Sequence, residues 1–263
     1  MECFIINLET AIDRMHFMKD QMIKLSLKFQ RIDAVTEKDL NISGSDDYWN
    51  TWERPLKNTE KACFISHVNA WNAVVKSNKP SLILEDDAFL SKDIKSVLLS
   101  ASILEGIDLL SLEVRFKRKL LSNHKEKLNT NYFYSRLYQN GSGAAAYILW
   151  PSGAKKLILK SKKQVALTDA FISNFKGLNS FQVEPACALQ LDCLSLHNIK
   201  SPIKHYSIIN SGINSKRPDF KKGTKIKFLF RRLLFQVKRG FYSVYLINKS
   251  EKRFIKIQKS EFE

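Results

Sequence analysis

Short apolar runs and helical stripes alternate along the chain in an order that predicts an α/β domain. Residues Cys3-Phe4-Ile5-Ile6-Asn7-Leu8 form a strand-type run. Ile12, Met15, Met18, Met22 and Leu25 then recur at spacings of three and four, which predicts a helix from about 11 to 27 with one buried face. Phe29-Gln30-Arg31-Ile32 reads as a second strand, so the sheet begins in β-α-β order with parallel strands. The polar stretch 41–58, with Gly44, Pro55, Trp49 and Trp52, reads as a loop. A long helix is expected from Thr59 to about Lys76, opened by Asn58 or Thr59 with Glu60 nearby and closed by Asn78-Lys79-Pro80.

Ser81-Leu82-Ile83-Leu84 is a wholly apolar strand of the kind buried on both faces. Beyond it come a helix near 93–104, a strand over 107–112, a basic irregular segment over 115–131, and strands over 132–137 and 144–149 flanking the loop 140–143. Pro151 opens a helix that runs to about Leu159, and 167–210 mixes short elements. No repeat of fixed period is visible.

Composition changes this picture little. With 263 residues, 44% hydrophobic and 26% charged, the chain is long enough for a substantial core and unlike a disordered or collagenous sequence. No run of 18 apolar residues predicts a membrane-spanning helix. Cys3, Cys63, Cys187 and Cys193 lack C-x-x-C spacing, and no basic region precedes the first apolar run, so reduced thiols and a cytoplasmic location are expected.

Charge changes it more. The net charge is +17, and from Lys216 onward 15 Lys or Arg face 4 Asp or Glu, so the excess is concentrated at the C-terminal end. We expect a core domain over 1–215 and a basic extension over 216–263.

The sharpest chemical feature follows the buried strand, where Glu85, Asp86 and Asp87 arrive together. Alternation along an extended chain sends Glu85 and Asp87 to one side and Asp86 to the other. Like charges this close disfavour full ionisation, and a hard divalent cation such as Mg²⁺ or Mn²⁺ resolves the conflict and can bridge a diphosphate. A solvated acidic turn is the bland reading of the same three residues.

Several blocks together resemble glycosyltransferase family 25. Ile5-Ile6-Asn7-Leu8 with Arg14 looks like the N-terminal strand of that family, and Phe29, Arg31, Ile32, Asp33 and Ala34 are similar to its second strand. Cys63, Ser66, His67 and Trp71, leading into Leu84-Glu85-Asp86-Asp87, match its most diagnostic block. Ala146-Tyr147, Ser152-Gly153-Ala154 with Leu157, and then Asp169, Pro185, Gln190 and Ser195 follow in order. The departures are Ala62, where a Gly is usual, and Ala144-Ala145, where a small hydroxylated residue is frequent.

The resemblance implies a GT-A type, Rossmann-like nucleotide-sugar-binding domain. It implies a metal-dependent inverting hexosyltransferase that moves galactose from UDP-galactose onto a lipooligosaccharide or lipopolysaccharide acceptor, with UDP-glucose or a UDP-N-acetylhexosamine as the alternative donor. Asp87 and Glu85 are then the expected metal ligands. Asn7, Leu8, Arg14, Asp33, Ala34, Ser66, His67, Glu85 and Asp86 are expected around the donor. An inverting reaction also needs a carboxylate base, and Asp169 is the candidate, although beside Thr168 it equally suits a helix cap. As isolated residues, Arg14 suits a solvent-facing helix, Asn7 and Asp33 suit turns, and His67 suits a hydrogen-bonded core position. His197 is a weaker candidate for a late metal ligand.

The tail adds a surface. Between Thr224 and Ser243, Ile226, Leu229 or Phe230, Leu233, Val237 and Phe241 recur at helical spacing among Lys225, Lys227, Arg231, Arg232, Lys238 and Arg239. Such a basic amphipathic helix suits an anionic membrane face, each basic residue near it contributing about 1 kcal/mol. A helix packed on the domain is the alternative. No nucleic-acid-binding motif is present, so nucleic acid is not an expected partner. A catalytically inactive, basic binding module is the rival from another class.

Overall fold

The computed structural model describes residues 1–40, 46–140, 143–203 and 222–263. β1 (Glu2–Asn7), α1 (Ile12–Lys24) and β2 (Gln30–Asp33) form the expected β-α-β unit, with β1 and β2 parallel. Met15, Met18 and Met22 of the stripe are buried, while Ile12, in the first turn, is exposed. The helix stops short of 27 because Ser26 turns left-handed at φ 52° and the Leu27 N–H reaches back to the Met22 carbonyl at 2.9 Å.

α2 (Asp46–Trp49) is a single turn within the stretch read as a loop, and Gly44 lies outside the described residues. α3 (Asn58–Ser77) begins where the Glu60 carboxylate accepts the Lys57 N–H at 2.8 Å, and it ends at Asn78, left-handed at φ 51°. β3 (Ser81–Glu85) is then flanked by β1, parallel, and by β9 (Ala146–Leu149), antiparallel. Its alternation is complete: Leu82 and Leu84 join the core cluster that contains Met18, Met22 and Val97, while Ile83 joins Phe64, Trp71 and Phe171 on the other face. Helices therefore cover both faces, α1 and α4 (Ile94–Ala101) on one, α3, α5 (Pro151–Ser161) and α6 (Thr168–Ser173) on the other. Gly153 permits this packing, since a Cβ there would stand 2.3 Å from the Asp108 carbonyl oxygen.

The sheet begins parallel and becomes mixed. With β5 (Leu109–Ser111), β6 (Lys119–Ser122), β8 (Phe133–Gln139), β10 (Ser180–Glu184) and β12 (Ser250–Arg253), its order is β12-β6-β8-β10-β5-β9-β3-β1-β2, and β7 (Glu126–Lys127) pairs with β8. β4 (Ala88–Leu90) and β11 (Ala188–Gln190) form a separate antiparallel ribbon. The segment 115–131, expected to be irregular, thus supplies two strands, which strand periodicity in so basic a stretch did not reveal.

The C-terminal segment is partly woven into the domain. Between 203 and 222 lie residues outside the described set, including the expected boundary at 215/216. Beyond them α7 (Lys222–Tyr245) docks by buried Phe228, by Phe235 edge-on to Trp52 and by Tyr242 edge-on to Tyr138, and Leu246 just after it is buried. β12 then pairs antiparallel with β6, and Ile255 and Phe262 enter the core. Arg253 bonds Glu184 at 2.5 and 3.1 Å. The last strand of the chain is therefore an edge of the main sheet. No helix among the described residues is long and apolar enough to cross a membrane.

Candidate functional site

The parallel strands β1, β2 and β3 end on one side of the sheet, where open α/β sheets form ligand crevices. A cleft of about 340 Å³ opens there. β1 leads into Leu8 and Arg14, β2 into Ala34 and Val35, α3 contributes Thr59, Cys63, Ser66 and His67, and β3 delivers Glu85, Asp86 and Asp87. Eight of the expected site residues therefore share one cavity wall: Leu8, Arg14, Ala34, Ser66, His67, Glu85, Asp86 and Asp87.

The three carboxylates do different work. Asp86 accepts from Arg14 Nη1 at 2.7 Å and from Asn7 Nδ2 at 2.8 Å, so it pins the start of α1 to the end of β1. Asn7 is buried behind it. Glu85 has a neutral imidazole where Asp86 has a guanidinium. Burial, together with the charges of Asp86 and Asp169, pushes its carboxyl up to about 7 against the weaker pull of Arg115 and Arg14. Asp87 is likewise pushed up to about 7 by burial and by Glu85 and Asp86, and Gln190 Nε2 stands 3.4 Å from its Oδ1.

Behind Glu85 runs a buried relay. The Trp71 indole N–H donates to the Tyr147 hydroxyl at 2.9 Å, Tyr147 lies 3.0 Å from His67 Nδ1, and His67 Nε2 lies 3.1 Å from Glu85 Oε1. Burial holds the imidazole down at about 3, so His67 is neutral. One tautomer satisfies every group: Tyr147 donates to Nδ1, and Nε2–H donates to Glu85. His67 is thus a hydrogen-bonded core residue that also lines the cleft. Ser66 closes the neighbouring wall, donating to the Ala62 carbonyl and accepting the Val35 N–H.

Asp169 lies in the first turn of α6, where its Oδ1 accepts the Ala170 N–H at 2.6 Å. It is also a site neighbour: its charge helps raise both Glu85 and Cys63, and the preceding Thr168 hydroxyl is 3.7 Å from Cys63 Sγ. Asp33 is not a cleft wall, because its side chain is 81% exposed and pairs with Arg31. His197 is elsewhere too, edge-on to Phe116. Arg115 carried no sequence signal. It binds Gln190 and, at 2.5 Å, Asp192, and so holds the residue that faces Asp87.

The donor set fits a hard divalent cation. Glu85 and Asp87 bring carboxylate oxygens to one cleft, and the buried Thr59 Oγ1 on its wall has no hydrogen-bond partner among the described residues. Ligand atoms of Cys63, His67 and Glu85 also lie within 4.8 Å of one another. Both His67 nitrogens are engaged, however, and burial drives the Cys63 thiol far above its usual range, which leaves the oxygens as the available donors.

A mixed α/β sheet with an acid-lined cleft at its parallel strand ends is consistent with a Rossmann-like fold. Residues 1–172 match the family described as "Glycosyltransferase family 25 (LPS biosynthesis protein)", and the chain belongs to that family. It is 36% identical over 96 residues to Procollagen galactosyltransferase 1-B of Xenopus laevis, covering 33% of this chain and only 16% of that protein. It is 24% identical over 210 residues to the lipooligosaccharide biosynthesis protein lic2B of Haemophilus influenzae, covering 75% of this chain and 79% of the relative. The lacto-N-neotetraose biosynthesis glycosyltransferase LgtE of Neisseria gonorrhoeae is 22% identical, with 89% of each chain covered.

Proposed function

We propose that the protein is a GT-A type, metal-dependent inverting glycosyltransferase that moves galactose from UDP-galactose onto a lipooligosaccharide acceptor. The observation that carries this is the pair Glu85 and Asp87, two half-buried carboxylates in a cleft bordered by Arg14, with Asp86 raising both and Glu85 raising Asp87. Glu85 and Asp87 would hold Mn²⁺ or Mg²⁺, whose chemistry there is Lewis-acid neutralisation of the departing diphosphate. His67 keeps Glu85 oriented, and the Asp86–Arg14 pair fixes the wall beside it. Asp169 takes the acceptor proton as the new C–O bond forms at the anomeric carbon and the bond to the diphosphate oxygen breaks. Leu8 and Ala34 border the nucleotide, and Asn7 supports Asp86 from behind the cleft wall.

The names of lic2B and LgtE support the lipooligosaccharide acceptor, and those of the procollagen enzymes support galactose. The acceptor class puts the protein at the cytoplasmic face of a membrane. In support, α7 docks by one face and leaves Ile226, Phe230, Leu233, Val237 and Phe241 exposed beside Lys227 and Arg232. The test is thermal unfolding with UDP and Mn²⁺, followed by donor hydrolysis across UDP-galactose, UDP-glucose and a UDP-N-acetylhexosamine. UDP should raise the melting temperature and UDP-galactose should turn over fastest. No shift with UDP, alongside salt-dependent binding to anionic vesicles, identifies an inactive binding module instead.

A further inference from the structure

A second cavity, of about 500 Å³, lies between the sheet, α6 and the inner face of α7. Its lining is aromatic and basic: Trp52, Phe175 and Tyr242 present rings, and six cations against two carboxylates, Glu53 and Glu113, set its charge. Lys160 comes from α5, Arg136 from β8, and Lys238 from α7. Flat apolar faces with a few polar groups between them are what a saccharide ring needs, and the charge excess selects an anionic one.

Two buried polar atoms on this wall lack hydrogen-bond partners among the described residues, the Trp52 indole N–H and Glu113 Oε2. Glu113 is 1% exposed, and its other oxygen is held by the Ala145 N–H at 2.6 Å. The carboxyl is approached so closely by Gly143 that a Cβ there would stand 2.8 Å from it. Unpaired buried polar atoms are uncommon in folded proteins, and a bound hydroxylated ligand would satisfy both.

The cavity also stands beside the acid cleft. Tyr147 lines it while its hydroxyl bonds His67 on the cleft wall. On α6, Thr168 touches Cys63 of the cleft and Ala170 lines the cavity, so Asp169 sits at the partition. We propose that this aromatic and basic cavity is the acceptor subsite and that it takes a phosphorylated oligosaccharide, presenting a hydroxyl past Asp169 towards the acid cleft. The proposal rests on the glycosyltransferase reading for its direction but not for its binding.

The probes are a phosphorylated core oligosaccharide released from its lipid, the same oligosaccharide after phosphatase treatment, and UDP with Mn²⁺, each titrated calorimetrically against the full chain. The phosphorylated probe should bind without competing with UDP, and loss of its phosphates should weaken it by about tenfold. Lys238→Glu, from α7, and Lys160→Met, from the opposite wall, should each weaken the phosphorylated probe by about tenfold while UDP affinity stays unchanged. Two variants on separate elements guard against one that merely loosens α7. Equal affinity for the two oligosaccharides, insensitivity to both variants, or competition with UDP overturns the subsite. Absence of UDP binding instead overturns the donor reading, and the oligosaccharide titrations then decide the fate of the cavity on their own.

Discussion

Every wall of the acid cleft comes from the stretch between Ile6 and Asp87, whereas the aromatic cavity draws on residues from Thr51 to Tyr242. The first is built by one β-α-β unit and the helix and strand that follow it, and its key side chains are fixed by short hydrogen bonds such as Asp86 with Arg14 and Asn7. The second closes only when α7 returns to the domain, and it is bounded largely by long cationic side chains and rings. The contrast separates a site pinned by short hydrogen bonds, as the proposed nucleotide would need, from one whose outer wall is a single docked helix, as the proposed oligosaccharide would need.

The largest effect should come from undoing the return of the chain. Arg253→Ala leaves the nearly buried Glu184 without its principal cation and should cost about 3 kcal/mol in urea unfolding. The pH dependence has a definite sign. Burial alone would raise the Glu184 carboxyl, yet hydrogen bonds from Arg253, Ser135 and Lys125 outweigh it and hold the group below its usual value. A depressed folded value gives stability that is present above the unfolded carboxylate value, about 4.3, and lost as pH falls through the folded one. The gap in unfolding midpoint between wild type and Arg253→Ala should therefore shrink from pH 7 to pH 3.

Next in size, Asp87→Asn should lower UDP-galactose turnover by about 100-fold while the melting temperature without ligand does not fall. Undiminished turnover removes that carboxylate from the chemistry. Tyr147→Phe strands the Trp71 indole N–H and should cost about 1–3 kcal/mol of stability. Because Tyr147 lines the aromatic cavity and bonds His67 on the cleft wall, UDP affinity and oligosaccharide affinity should fall together, and a change in only one uncouples them. The smallest effect on stability, within about 0.5 kcal/mol, is expected for Phe230→Ser with Leu233→Ser on the outer face of α7. Co-sedimentation of this variant with vesicles containing anionic lipid should nevertheless drop, and unchanged co-sedimentation excludes that face as the contact.

The same contrast explains what was legible in the sequence. Leu82-Ile83-Leu84 announces a doubly buried strand by composition, and the carboxylates that follow must emerge at its end, so the acid cleft could be read from local pattern. Asp33 was expected around the donor, but its strand lies at the sheet edge and its side chain turns to solvent. Arg115, Glu113 and Lys119 were invisible because their importance arises from partners that the chain supplies far away, as when Lys119 Nζ reaches Gln182 Oε1 at 2.5 Å. β12 was hidden for a related reason: Ser250-Glu251-Lys252-Arg253 has no apolar alternation, and it is a strand only because β6 offers it an open edge. The apolar stripe of α7 was visible, but it is the outward face, and the docking face rests on Phe228, Phe235 and Tyr242.

The position of β12 bears on how the molecule comes into being. Synthesis proceeds from the N-terminus, so the acid cleft can assemble while the ribosome is still translating the rest. The margin of β6 stays bare until Ser250–Arg253 emerge, and bare strand margins invite the wrong neighbour. A chain lacking Ser250–Arg253 would thus keep a finished acid cleft and present an unsealed, sticky flank.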